Sequence, residues 1–417
     1  MPVTRRQWLS LSASALFAGT AIGQPSRKRN VPIRVPARAV TRGPNHHFFG
    51  YYDKTPWDAT GRYLLGMESP FYDRQPKPGE ELTLGMVDLK DGDRYISLAK
   101  TPAWCWQQGT MLQWLGSAPD REIIYNTVDD GEYVARIQDV HSGKTRTLPR
   151  SIYAVSADGK QAVTVDFARL HRLRPGYGYA SLPERLADDP APKSLGIWQM
   201  DLTSGKHRLI ISLADLAQFR PDARFPGAEH WVNHLQFNPS GSRLIFLHRW
   251  KPIGQERGWQ TRLFTVKPDG TDLRLHLDDG MTSHFDWRDD KTILAWARTK
   301  THGDHFYLID IDGAAPEIVF QGSADRDGHC SYSPDRKWVL NDTYPDKDQN
   351  RQLMLLKVSN GRRYDLNRFH SPPRLTGPFR CDLHPRWDRT GTQVCIDSAH
   401  EPTRQLYVLD VAEIIGS

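Results

Sequence analysis

The chain has 417 residues and a formal charge of +6, yet its first 42 residues carry eight bases and no acid. Without them 47 basic residues face 49 acidic ones, so the basic pI of about 9.0 belongs to the tail. No run in the body interleaves Lys or Arg with stacking aromatics, which argues against a nucleic-acid partner.

Taken in order, Thr4-Arg5-Arg6-Gln7-Trp8-Leu9 precedes an apolar stretch from Leu11 to Ile22 and then Gly23-Gln24-Pro25. A charged start, a modest apolar core and small residues before a cut describe a cleaved signal peptide, residues 1–23. The paired arginines give the twin-arginine kind. This reading implies the Tat export machinery as a partner and a periplasmic or secreted protein. The stretch is far short of the roughly 20 apolar residues a span requires, so no stable membrane insertion is expected. Residues 24–42 read as a basic linker with a closing strand around Val31–Val40.

From residue 43 to 417 one pattern repeats. A hairpin of alternating apolar residues around a Ser-x-Asp-Gly-like turn occurs at Tyr51–Met67, Met111–Asn126, Tyr153–Asp166, His234–His248, His284–Ala297, His329–Asp342 and His384–Asp397. Turns such as Ser156-Ala-Asp-Gly159 and Asn238-Pro-Ser-Gly241 suit tight hairpins. Second hairpins follow at Leu84–Asp88, Ala135–Asp139, Ile197–Asp201, Leu263–Lys267, Tyr307–Asp310 and Leu355–Val358. The seventh, Gln405–Asp410, runs almost into the C-terminus and lacks an outer strand. The fold class expected is all-β: a seven-bladed β-propeller closed by the N-terminal strand, in a single domain. Arg169–Ser194 and Leu213–Glu229 interrupt the repeat and read either as rims of a site or as decorated blade edges.

In four successive units a histidine stands three residues before an aromatic: His234 and Phe237, His284 and Trp287, His329 and Tyr332, His384 and Trp387. Blades place equivalent residues around one axis, so these imidazoles are expected to share a central space. Such a cluster suits a divalent metal such as Mn, Zn or Ca, with His284, His329 and His384 as ligands and His234 as base or fourth ligand. The same ends of the strands bring His47, Gln108, Asn126, Tyr153, Arg169 and Arg249. Cys105, Cys330, Cys381 and Cys395 show no CxxC spacing and read as buried thiols or a single bridge, with Cys330 and Cys381, beside two of the histidines, also open as metal ligands. Gly-x-Ser-x-Gly, Walker-A, Rossmann and His-Glu-x-x-His motifs are all missing from the sequence.

The spaced histidines, with His384-Pro-Arg-Trp387, resemble those of the propeller polysaccharide lyases, above all the oligogalacturonate lyases. That resemblance implies a metal on His284, His329 and His384, with His234 as the base. The glutamine that completes that family's metal shell falls nearest Cys381 or Asp382. Tyr153 and Arg169, sixteen residues apart, resemble the working pair of ulvan and rhamnose–glucuronate lyases, whose two histidines would fall at Gln108 and Asn126. His46 or His47 matches the key N-terminal histidine of related propellers that cleave rhamnose from glucuronate.

The chemistry implied is β-elimination on a uronate-containing oligo- or polysaccharide. Removing the C5 proton needs positive charge at the adjacent carboxylate, from an arginine fork or a metal, and a neutral His or Tyr to move protons. Tyr153, Arg169, His234 and His47 are the expected catalytic residues, and Gln108, Asn126 and Arg249 the expected substrate contacts. Two alternatives stay open: a glycoside hydrolase acting on rhamnose–glucuronate linkages, and a non-catalytic periplasmic binding propeller.

Overall fold

The computed structural model describes residues 30–255 and 258–416. The signal peptide, residues 1–23, and the start of the linker lie outside the described residues. Seven sheets follow one another along the chain. The first holds His46–Phe48, Tyr63–Ser69, Leu82–Asp88 and Arg94–Thr101. Each later sheet repeats this antiparallel meander, and the fold is an all-β seven-bladed propeller.

The N-terminal segment closes the ring. Arg38–Ala39 pairs antiparallel with Gln405–Asp410 and becomes the fourth strand of the seventh sheet. Just before it, Val31–Pro32 lies parallel to Arg363–His370 as a fifth strand of the sixth sheet. The expected closing strand therefore serves two blades in succession, and the edge of the seventh sheet is covered.

The repeated first turn has one local cause. In Asp58, Asn238 and Asp388 a side-chain oxygen accepts from the backbone N–H five residues on, at 2.8, 3.0 and 3.0 Å. Ser156 and Ser333 do the same at 3.2 and 3.0 Å. Such side chains stand in for a backbone acceptor and fix the turn. The fourth residue of these turns has φ between 61° and 79°; it is glycine except at Arg336.

The aromatics of the repeated motif hold neighbouring blades together. Trp114, Trp287 and Trp387 each donate an indole N–H to a carbonyl of the preceding blade, at Pro56, Gln236 and Ser331. All three are buried. Replacing such an anchor with alanine typically costs about 3–5 kcal/mol. With the aromatic committed between blades, the histidine three residues earlier is left at the axis. No helix among the described residues is long and apolar enough to cross a membrane.

Candidate metal centre and active site

The inner strands carry a local irregularity that aims the histidines. Pairing of Glu229–Phe237 with Leu244–Lys251 shifts register between Asn233 and Gln236, around His234. The next blade shifts between Thr282 and Phe285, around His284. A bulge of this kind bends the strand and redirects a side chain. His234 and His384 also sit at positive φ, 52° and 42°, as does Met111 at the same phase of the second blade. Non-glycine residues are uncommon there.

The four imidazoles converge. Ring centroids lie 4.1 Å apart for His284 and His329, 4.4 Å for His329 and His384, and 6.4 Å for His234 and His284. Within this group His329, His384 and Asp382 bring one ligand atom each within 4.8 Å of one another. All three are buried. His329 Nδ1 faces Asp342 at 2.9 and 3.0 Å, which leaves its Nε2 buried and without a hydrogen-bond partner. Both ring nitrogens of His384 are unpartnered as well. Buried polar atoms are seldom left so, and a histidine oriented by a carboxylate with its other nitrogen bare is the usual arrangement of a metal ligand. The residues fit a divalent ion.

Asp382 stands between two cations, Arg351 at 2.8 Å and Arg380 at 2.6 Å. Burial pushes its carboxyl upward, but Arg380 and Arg351 outweigh that and hold it well below the usual range. Burial first, and then His329, holds His384 well below the usual imidazole value, so it is neutral. The result is a compact His/Asp cluster able to chelate a metal ion.

His284 falls outside that three-residue set. Its Nδ1 is bonded to Asp327 at 2.9 Å, and Ser283 donates to the same carboxylate at 2.7 Å. His234 stacks on Tyr51, 5.1 Å between centroids, with its Nδ1 buried and unpartnered. Burial, and then the Arg249 charge, holds it well below the usual value. Tyr153 is nearby in a supporting place: its hydroxyl accepts from the His234 backbone N–H and from Gln108, both at 2.8 Å. Gln108 therefore holds Tyr153, and Tyr153 holds His234.

Arg249 is buried, with Nε and Nη1 unpartnered and only a 3.5 Å contact from Nη2 to the Thr282 carbonyl. Burial, reinforced by Arg174, brings its guanidinium down to about 10. Among the described residues no carboxylate pairs with Arg249 or Arg174.

The remaining expected residues lie elsewhere. Arg169, expected to grip a substrate carboxylate, is fully engaged inside the protein. It meets Glu184 at 2.6 Å and the carbonyls of Pro190, His230 and Asp189 at 2.7, 2.8 and 3.1 Å. The long interruption after Phe167–Leu173, a short helix, supplies Glu184, Asp189 and Pro190 around its guanidinium. Asn126 is bonded to both backbone groups of Ile152 and to Tyr179. His47 sits at the seam of the first and seventh sheets, bonded to Gln405 at 2.9 Å and Glu68 at 3.2 Å. The four cysteines are buried and free.

The residues that sequence reasoning passed over are Tyr51, Arg174 and Arg380, and Asp382 was weighed only as a neighbour of a missing ligand. The Asp-x-His spacing of Asp382 and His384 is a signal that was present. Tyr51 opens the first hairpin as the histidines open theirs, but its place among them depends on Arg386, far away in the chain. Its ring lies 5.0 Å from His384, 6.0 Å from His329 and 6.5 Å from His284. Burial, and then Tyr177, pushes its phenol well above the ordinary value.

The fold has counterparts among solved structures. An oligogalacturonate lyase from Vibrio parahaemolyticus superposes with a TM-score of 0.64 at 15% identity, over 91% of this chain and 94% of that one. The fold is similar to that of oligogalacturonate lyases. A second such lyase, in complex with manganese, gives 0.65 at 15% identity over 94% and 99% of the two chains. Prolyl oligopeptidase B from Galerina marginata gives 0.50 at 9% identity, over 85% of this chain and 47% of that one. At these identities the likeness establishes the fold alone. No family model matches the sequence, and no curated protein does.

Proposed function

We propose that the protein is an exported polysaccharide lyase that cleaves uronate-containing glycans by β-elimination with a divalent metal. The observation that carries the reading is one cluster of unsatisfied groups at the propeller axis. The bare ring nitrogens of His329 and His384 and the Asp382 carboxylate share this end with Arg249 and Arg174, which have no acid partner among the described residues. A uronate has the complementary chemistry, an anion with an acidifiable C–H next to it.

His329, His384 and Asp382 would hold the ion, which when bound supplies positive charge to offset the negative charge that develops at the carboxylate. Arg249, with Arg174 beside it, binds the sugar carboxylate through its free N–H groups. Two imidazoles are placed to act as base. Burial opposes proton uptake on both; at His234 the Arg249 charge adds to it, whereas at His284 the Asp327 carboxylate on Nδ1 counters it, fixes the tautomer and stabilises the imidazolium. His284 is therefore assigned as the base and His234 as a neutral wall of the site.

Incubation with a panel of uronate-containing glycans tests this directly. The expected product carries the ultraviolet absorbance of a 4,5-unsaturated uronate. A saturated product would move the protein to the hydrolases, and binding without turnover to the non-catalytic propellers.

A further inference from the structure

Six tyrosines approach the axial end of the propeller, and four have their hydroxyls engaged. Tyr52 donates to the Phe285 carbonyl at 2.8 Å and accepts from the Phe285 N–H at 3.0 Å. Tyr153 accepts from Gln108 and from His234. Tyr177 accepts from Arg380 at 2.9 Å, and Tyr179 from Asn126 at 2.9 Å. Tyr344, 6.3 and 6.0 Å from His284 and His329, is open to solvent, and of these six Tyr51 alone has a buried hydroxyl without a partner. Leaving a buried hydroxyl unsatisfied costs free energy unless a ligand completes it.

Its position is also actively held. Arg386, from the same His384-Pro-Arg-Trp387 motif that supplies a metal-ligand candidate, donates to the carbonyls of Gly50 at 2.7 Å and Tyr51 at 3.2 Å. Asp397 anchors Arg386 at 2.8 Å and accepts from the Phe49 N–H at 3.2 Å. Gly50 has φ +115°, and a Cβ there would stand 2.9 Å from the Gln108 backbone. A buried ion pair and a residue without a side chain thus deliver one phenol ring into the middle of four histidines, two of them in the His/Asp cluster. Packing alone would be served as well by phenylalanine.

We propose that Tyr51 is the catalytic acid of the site, donating its hydroxyl proton to the departing glycosidic oxygen. The inference rests on the lyase reading. The base takes the C5 hydrogen as a proton, the C5 electron pair forms the C4=C5 bond, and the C4–O bond breaks. The oxygen that leaves C4 receives the Tyr51 proton and becomes the new hydroxyl. The phenolate recovers a proton from solvent or from the protonated base, so the net change is transfer of one proton from carbon to oxygen.

The test compares wild type with Tyr51→Phe on two substrates: a uronate glycan cleaved by the wild type, and a 4-deoxy-4-fluoro uronide, whose fluoride leaves without needing a proton. Tyr51→Phe is expected to lose about 100-fold or more of kcat on the glycan, with KM little changed, and to stay within about threefold of wild type on the fluoride. Metal content should match wild type, and the melting temperature should be equal or higher, because an unpartnered hydroxyl has been removed from the interior. Equal losses on both substrates, no loss on the glycan, or a melting temperature lower by several degrees would each overturn the assignment. A wild type inert on the glycan panel and on the fluoride overturns the lyase reading and this proposal with it. An active wild type with any of the other contrary results overturns only this proposal.

Discussion

Arg174 and Arg249 share one indole: their guanidinium carbons lie 4.2 and 5.3 Å from the ring centroid of Trp259. Two like charges at one half-buried wall repel unless an anion lies between them. Their pairing is the strongest electrostatic sign of what the site receives, and it separates them from Arg169, whose charge is answered by Glu184.

That contrast gives the first prediction. Arg249→Lys keeps the charge but loses the two-pronged geometry, so kcat/KM on a cleaved glycan should fall by about 100-fold with little change in melting temperature. Arg169→Ala should do the opposite. It leaves Glu184 buried with less compensation, and about 3–5 kcal/mol of stability should go. Steady-state kinetics and thermal melts on both variants separate the roles, and a stable Arg169→Ala that binds glycan poorly would return Arg169 to the site.

The metal assignment makes a second prediction. Protein purified without chelator should carry close to one divalent ion per chain by elemental analysis. His329→Ala and Asp382→Asn should each lose most of it, and Asp382→Asn should also melt lower because Arg351 and Arg380 lose their shared anion. Undiminished metal in both variants would refute the three-residue set.

A third prediction separates two imidazoles. His284→Ala should abolish formation of the unsaturated product while most of the metal is retained, and His234→Ala should leave measurable turnover. The reverse order would make His234 the base.

The pH dependence of stability follows from His230, which burial and then the Arg262 charge bring down to about 4. In the unfolded chain it titrates near the ordinary 6.5, so between those values the unfolded state binds more protons. Stability should be full above pH of about 6.5, fall as the pH drops toward 4, and level off below. The contribution of this group is about 3 kcal/mol at the acid end. Melting temperatures across this window, compared with His230→Gln, should show a shallower slope in the variant.

How much of this was legible in the sequence depended on whether the cause was local. The hairpin turns at Ser156 and Asn238 were, because the residues that fix them are neighbours. The histidine phase was legible too, because bulged inner strands repeat it from blade to blade. The engagement of Arg169 was not legible, because the residues that hold it come from an insertion whose path no periodicity reveals. The approach of Tyr51 to the histidines was hidden for a similar reason: the groups that place it, Arg386 and Asp397, lie more than 330 positions away in the chain.

The closing strand has a consequence for how the protein is made. Arg38 pairs with Val408, so the contact that seals the ring joins residues 370 positions apart. Until the last strands are synthesised, Arg38 and Ala39 have no strand to pair with, and afterwards the seventh sheet stays open at its edge until that segment returns. Long-range pairing of this kind comes late and slowly. A finished chain whose own end is delayed offers its open edge to the same segment of another copy. Conditions that slow closure should therefore favour exchanged dimers over unfolded monomers.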